Sequence, residues 1–493
     1  MAAPSPLSHE NLSYKHPTSS PSFIRKAVKA NVQFDGFRFA AGQKCHRERL
    51  ILSKRLKVET LEDAGTLLSA QEEYEMTESA TKLLKSGRKV DALTTLHRAL
   101  ARDESNAKTF IKLDGLPALI GCFFAPDSEI LHAAAWCAIN LTAGMSLSLK
   151  RVKLLSPILF QFLQGSDVAM QELCAWALGN IAGDSASHKD LLVQQGCVPA
   201  LTELVSKSHR VMYEARTHSV LFALANIARG SYDCVRCLQE HCIYKHIVMM
   251  MENLPVTSQS CSQLGWLINS IYFRTESFTD SREQFSTILP LVLERCYQIN
   301  QMVDTRYREK LMLPFLRCLG NLIGQSEEVA LEAGRQLVFY DIVSRGLSSR
   351  STAFVHQEIL WILSNFIVEP SCCVLVLCQP SLLTNILNLC PTPNVKVCAA
   401  ALHIVERMTH ISTQMSQYLF DQEVLMKVCP VLSCGEFELV EKALDIFIEL
   451  LETTSKDRED SLKELTETPL QMLLSPDVPD SVSAKAKRTL SLL

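Results

Sequence analysis

The sequence lacks every short motif that announces chemistry. It has no glycine-rich loop to cradle a phosphate, no Gly-x-Ser-x-Gly elbow and no His-Glu-x-x-His helix, so it proposes no enzyme and no cofactor. It lacks an excess of charge of either sign: 49 Lys and Arg against 53 Asp and Glu leave −4 at pH 7. With no basic patch interleaved with aromatics, the footprint of a nucleic-acid binder is missing too. Residues 1–22 are Ser/Pro-rich and hold no apolar core, so no secretory signal is expected. The 18 cysteines sit in apolar helical phrases, as at Cys137, Cys174, Cys318 and Cys398. There they act as small hydrophobes in a reducing compartment, cytoplasm or nucleus.

Tryptophan is scarce as well, with four in 493 residues, and all four fall on one register. CAWALGNIAGD (174–184) places Trp176 and Asn180 one helical turn apart on the same face. Worn copies of that phrase carry Trp136/Asn140, Phe222/Asn226, Trp266/Ser270, Arg317/Asn321 and Trp361/Asn365. Three more put His97, Glu406 and Glu449 at the Asn position. From 97 to 449 the nine positions span 352 residues, an average period of 44. Helical solenoids of the armadillo or HEAT type use about 40–47 residues per unit.

Each phrase is joined by an apolar run carrying Gly or Pro, as in LDGLPALIGCF (113–123), LLSPILFQFL (154–163), QQGCVPALTEL (194–204) and STILPLVLE (286–294). A break at each Gly or Pro predicts three helices per unit, the armadillo arrangement. The expected fold is all-α: a right-handed superhelical armadillo solenoid of about nine repeats, monomeric, over 62–493.

Before the array, residues 1–44 are polar, Ser/Pro-rich and aperiodic, a composition that favours disorder. Residues 45–61 form a short basic helix candidate with Arg47, Arg49, Lys54, Arg55 and Lys57. Loops are expected at 275–284 and 300–310, accounting for the wide interval between positions 270 and 321. The C-terminal stretch from about 461 reads as an irregular capping unit, which an open array needs.

Two segments admit other readings. ILWILSNFIVEPSCCVLVLC (359–378) has the length of a membrane span, but Glu369 and Pro370 interrupt it and it starts in register with the repeat. Two helices meeting at a Pro turn explain it; membrane association is the alternative. Cys234, Cys237, His241, Cys242 and His246 include a Cys-x-x-Cys pair that suits zinc. Alignment with the previous repeat instead sets Cys242 on Cys197 as a core position and leaves no metal site.

One residue per repeat at a fixed register becomes a ladder along one face of the array. Asn offers a donor and an acceptor to the backbone of an extended peptide. Trp rings standing as parallel fins would take the alkyl stems and charges of Lys and Arg between them. Glu172, Asp184 and Glu358 lie within a turn of the ladder and would select basic side chains. Trp136, Asn140, Trp176, Asn180, Phe222 and Asn226 thus make one candidate groove, with Trp266, Arg317, Asn321, Trp361 and Asn365 further along.

Residues 174–185 resemble the third armadillo repeat of importin-α, the adaptor for nuclear localisation signals. The resemblance implies a major site at Trp136/Asn140, Trp176/Asn180 and Phe222/Asn226, with Glu172 and Asp184 as acidic groove positions. It implies a minor site at Trp361/Asn365 and Glu358, an arginine at 317, and importin-β binding by the basic arm. The whole pattern, including KSGRKVDALTTLHRALARDESNAKTFIKLDGLPALIG, is more similar still to the transmembrane and coiled-coil domain-containing protein 6 family, a divergent importin-α-like branch. The sequence departs from importin-α in several places. Phe222 stands for a Trp and Ser270 for an Asn, the last two units carry Leu402/Glu406 and Asp445/Glu449, and the arm has few charges. Basic linear peptides are the expected partners; an armadillo scaffold for another linear partner is the alternative.

Overall fold

Helix follows helix along the whole described chain because apolar residues recur every three or four positions and short caps punctuate them. The computed structural model describes residues 68–144, 147–207, 213–272, 281–377, 379–453 and 460–493. The basic segment 45–61 and the stretch before it lie outside them. Among the described residues there is no strand, and the architecture is an all-α armadillo array. Two units, meeting at Cys318/Leu319, divide it.

The N-terminal unit holds α1 (Ala70–Lys85), α2 (Lys89–Arg102), α3 (Glu104–Lys112), α4 (Leu116–Cys122), α5 (Ser128–Gly144), α6 (Leu149–Leu163), α7 (Val168–Ala182), α8 (Ala186–Gln194), α9 (Cys197–Ser206), α10 (Glu214–Ala228), α11 (Tyr232–Glu240), α12 (Ile243–Asn253), α13 (Ser260–Tyr272), α14 (Ser281–Asn300) and most of α15 (Thr305–Gln325). The ladder helices of this unit stack in series: α5 on α2, α7 on α5, α10 on α7 and α13 on α10. α7 shows why. VAMQELCAWALGNIA is apolar on every side, as a helix flanked by neighbours must be, and it is buried from Leu173 to Ala182. Asp167 caps its start by accepting from the Ala169 and Met170 N–H groups, and Gly183 closes it.

The second unit continues with α16 (Glu327–Arg335), α17 (Leu337–Gly346), α18 (Ala353–Phe366), α19 (Pro370–Leu377), α20 (Pro380–Leu389), α21 (Val395–Thr409), α22 (Thr413–Asp421), α23 (Val424–Val428), a 3-10 turn (Cys429–Ser433), α24 (Phe437–Thr453), α25 (Asp460–Met472) and α26 (Asp480–Leu492). Here α21 packs on α18, α24 on α21, and α26 closes the series on α24. The segment that matched a membrane span by length is α18 and α19, separated by a turn. No helix among the described residues is long and apolar enough to cross a membrane.

Four local expectations need correction. Pro157 and Pro290 do not break the chain but sit inside α6 and the 20-residue α14. Those units therefore carry one long helix where a pair was expected. A proline in a helix forfeits one hydrogen bond and costs about 3 kcal/mol. At α6 the burial of Leu155 and Leu159 on either side offsets it. Of the loops expected at 275–284 and 300–310, residues 273–280 lie outside the described residues, but α14 already begins at Ser281 and only residues 301–304 separate it from α15. The fourth correction shifts an alignment by one residue. Gly196 starts α9 in the left-handed region at φ 79°, and Cys242 starts α12 in the same way at φ 57°. Cys242 thus matches Gly196 and is exposed, while Ile243 takes the core place of Cys197.

Candidate functional site

The ladder asparagines are buried, and four of the five hand an amide hydrogen back to the preceding ladder helix. Asn140 Nδ2 donates to the His97 carbonyl at 3.0 Å, Asn180 to Ile139 at 3.3 Å and Asn226 to Gly179 at 2.8 Å. In the second unit Asn365 donates to Gly320 at 3.0 Å. Each of those carbonyls lies within a helix, so the amide uses its second lone pair. The row is therefore a row of inter-repeat ties as well as a register. Asn140 and Asn365 make no other side-chain hydrogen bond among the described residues. Ser270 turns inward, donating to its own helix at the Trp266 carbonyl at 2.6 Å. Asn321 is buried on α15, one turn after the half-buried Arg317.

The aromatic positions are more enclosed than free-standing fins. Trp136 is half-buried and meets the His97 ring at 5.6 Å. Trp176 is only 5% exposed, its ring 6.2 Å from His218 and 6.1 Å from Phe222, and Trp266 is 3% exposed. These rings tilt by 40–46° to one another and do not stand parallel. Two glycines make room for them. A Cβ at Gly179 would lie 2.5 Å from Phe222, and one at Gly320 would lie 2.1 Å from Trp361. Trp361 is half-buried, and its indole N–H has no acceptor among the described residues.

Glu172 and Glu358 are partly exposed, on α7 and α18 respectively. Asp184 follows the end of α7, its side chain 18% exposed and Oδ2 3.3 Å from His188 Nδ1. Arg229, one turn beyond Asn226, donates to Asn226 Oδ1 at 2.7 Å and lies 5.8 Å from the Trp266 ring. Burial pulls its guanidinium down to about 9, so it stays charged at neutral pH. The slot between Asn226 and Trp266 thus already contains a cation of the protein's own.

In the last repeats an ion-pair series replaces the ladder. Glu406 meets Lys442 and His403 at 3.7 Å, and Glu449 meets His410 at 3.9 Å. Lys485 bridges Asp445 at 2.7 Å and Glu441 at 3.1 Å, and Arg488 meets Glu452 at 2.5 Å. The hydrogen bond from His403 and then the charge of Lys442 hold Glu406 below the usual carboxylate range, against its burial. The cysteine-rich stretch at 234–246 is drawn into local contacts: Cys234 donates to Asp190 at 3.4 Å, and Cys237 lies 3.8 Å from His241 Nδ1. Among the described residues no group of three or more potential ligands is placed to hold a metal.

This row of helix ties and acidic flanks can be set beside known proteins. The chain is 25% identical to importin subunit alpha-9 of Arabidopsis thaliana over 289 residues, 56% of this chain and 53% of the relative. It is 23% identical to probable importin subunit alpha-A of Dictyostelium discoideum over 226 residues, 42% and 38% of the two chains. The repeats are importin-α-like. The chain matches about half the length of the first of these relatives and less of the second. No family model matches it. An engineered protein solved by the Northeast Structural Genomics Consortium shares the fold, with a TM-score of 0.64 over 85% of this chain and 98% of that one at 18% identity.

Within these importin-α-like repeats, sequence reasoning passed over three kinds of residue. Gly179 and Gly320 were signalled by the repeated Gly-Asn pair at 179–180 and 320–321. Arg229 stands three residues beyond a ladder Asn, but its turn back onto that Asn has no sequence signal. His97 and His218 become neighbours of Trp136 and Trp176 only when the helices stack.

Proposed function

We propose that this protein is an adaptor that binds basic linear peptides of the nuclear-localisation type along the register from Trp136 to Asp184. By that reading it serves protein import and works in cytoplasm and nucleus without catalysing a reaction. The reading rests above all on one observation: consecutive helices bring Asn140 and Asn180 into one row, with Glu172 and Asp184 a turn from the aromatic or the amide. The importin-α-like homology supports it, and the phrases shared with the transmembrane and coiled-coil domain-containing protein 6 family favour that divergent branch. Binding ends near Asn226, because Arg229 fills the next slot with a positive charge. Engagement of importin-β through Arg47, Arg49, Lys54, Arg55 and Lys57 is the further element of the proposal; it lies outside the described residues.

The test is titration of a labelled lysine-rich peptide into the protein at low and physiological salt. Low-micromolar or tighter affinity, weakened by salt and by Trp136→Ala or Asn140→Ala, supports the adaptor. Absence of binding to folded protein overturns it. The self-paired acids at Glu406, Asp445 and Glu449 favour a second role for the last repeats as a scaffold for a different linear partner, since their charges are already answered within the chain.

A further inference from the structure

Helix α10 carries an arginine where α7, α15 and α18 carry an apolar side chain. Ten residues before the ladder asparagine lie Met170 on α7, Leu311 on α15 and Val355 on α18, all buried, but Arg216 on α10. The arginine is as deeply buried as they are, at 4% exposed. Its guanidinium is fixed from two sides. The Tyr213 ring lies across one face, its centre 4.1 Å from the guanidinium carbon. Nη1 donates to Gln171 Oε1 at 3.0 Å. The Gln171 amide is itself held, donating to the Gly165 carbonyl at 2.7 Å and the Leu163 carbonyl at 3.3 Å. Nε and Nη2, which form one edge of the guanidinium, are buried without a hydrogen-bond partner.

No carboxylate among the described residues answers that edge. Glu214, two residues earlier, turns Oε1 to the Gln259 N–H at 2.8 Å. Asp167, at the start of α7, accepts from the Ala169 and Met170 N–H groups through Oδ1 and lies 3.4 Å from His132 through Oδ2. Residues 208–212, which precede Tyr213, read SHRVM and contain no acid. Burial pulls the Arg216 pKa below the usual arginine value, yet an arginine keeps its charge in a protein. A buried charge ordinarily comes with a counter-charge, because its lost hydration is otherwise uncompensated. The Nε–H and one Nη2–H run parallel, a fork that matches two oxygens of a carboxylate or a phosphate.

We infer that Arg216 is the centre of an oxyanion site where α10 packs on α7: a phosphate or carboxylate group accepts from Nε and Nη2 together, while Tyr213 and Gln171 hold the guanidinium. The edge is enclosed, so the ligand is a small anion taken from solution. Such an anion neutralises the one charge this core position carries, and the joint between the two repeats is firmer with it than without it. The site is separate from the peptide register and holds whether or not basic peptides bind there.

The experiment compares the full chain in chloride and in inorganic phosphate at matched pH and ionic strength. Binding is read by equilibrium dialysis of labelled phosphate, and stability by thermal unfolding. The wild type is expected to bind phosphate and to gain Tm saturably. Arg216→Met installs the residue that α7 carries at the same place, so the fold should be kept. That variant is expected to bind phosphate about a hundredfold more weakly, the size of two hydrogen bonds to a charged group. Its Tm should be the same in both salts, and in chloride at least that of the wild type, since an unanswered buried charge has been removed. Arg216→Lys keeps the charge without the fork and should bind about tenfold more weakly than the wild type. Acetate in a parallel titration tells the two groups apart: tighter acetate marks a carboxylate ligand, tighter phosphate a phosphate ligand. A wild type that takes up neither anion overturns the inference, and water then meets the edge. Equal uptake by wild type and Arg216→Met also overturns it, and places the anion elsewhere on the surface.

Discussion

The indole of Trp361 lies against the backbone of Gly320 so closely that a methyl group at 320 would come within 2.1 Å of the ring. Asn365, one turn after that tryptophan, donates to the carbonyl of the same glycine at 3.0 Å. One residue thus receives both the ring and the amide of the next ladder helix. Gly179 does the same for Phe222 and Asn226.

Gly320→Ala is therefore expected to destabilise the protein, although alanine favours a helix by roughly 1 kcal/mol over glycine. Overpacking against a ring that cannot withdraw costs about 1–3 kcal/mol. Thermal unfolding should show a lower Tm, with a changed tryptophan emission in the native baseline. An unchanged or higher Tm would mean that the ring moves aside freely.

Asn226→Ala removes the donor to Gly179 and also the acceptor of Arg229. Losing a buried hydrogen bond that leaves a charged partner unsatisfied should cost about 2–3 kcal/mol in urea unfolding. Arg229→Met removes the buried charge instead, and should be close to neutral because desolvation of the guanidinium offsets its contacts. The double variant should lose less than the sum of the two single changes.

His97 supplies a pH dependence. Burial, and then the charge of Arg98, hold its folded pKa below the ordinary 6.5. The unfolded chain therefore takes up this proton first as pH falls. Stability is fully present above about pH 6.5 and is lost on the acid side, down to the folded value. His97→Phe should flatten stability between pH 7 and pH 5 in chemical denaturation. An unchanged slope would place the pH dependence elsewhere.

Thiol chemistry should single out two positions among the described cysteines. Cys242 and Cys434 are exposed, whereas burial pushes Cys372 and Cys373 up to about 12 and Cys137, Cys174 and Cys296 still higher. With a thiol-reactive chromophore, Cys242→Ser and Cys434→Ser should each remove one fast-reacting equivalent. The buried thiols should respond only in denaturant.

The repeat and its period were legible because tryptophan is rare enough that four on one register carry information. Element lengths were less so, since Pro157 and Pro290 read as breaks while packing on both sides keeps the helices whole. The left-handed start of α12 was invisible because Cys242 stands where glycine would announce it. At the candidate site the ladder's identities could be read, but not where its hydrogen bonds go. Asn180 at a fixed spacing from Trp176 looks the same in sequence whether its amide faces a peptide or Ile139. His97, His188 and Arg229 acquire their neighbours only through stacking or a local turn.

The backward aim of the asparagines gives the array a sense of direction. At each of the four ties the donor belongs to the later helix and the acceptor to the earlier one. Shortening the protein from its carboxyl end, one repeat at a time, leaves every surviving amide with the carbonyl it needs. Shortening it from the amino end takes the carbonyl away from the asparagine that heads the surviving array at each of those four junctions. Gradual loss or replacement of terminal repeats is thus far better tolerated at one end than the other, and the end that has exchanged its asparagines for ion pairs is the tolerant one.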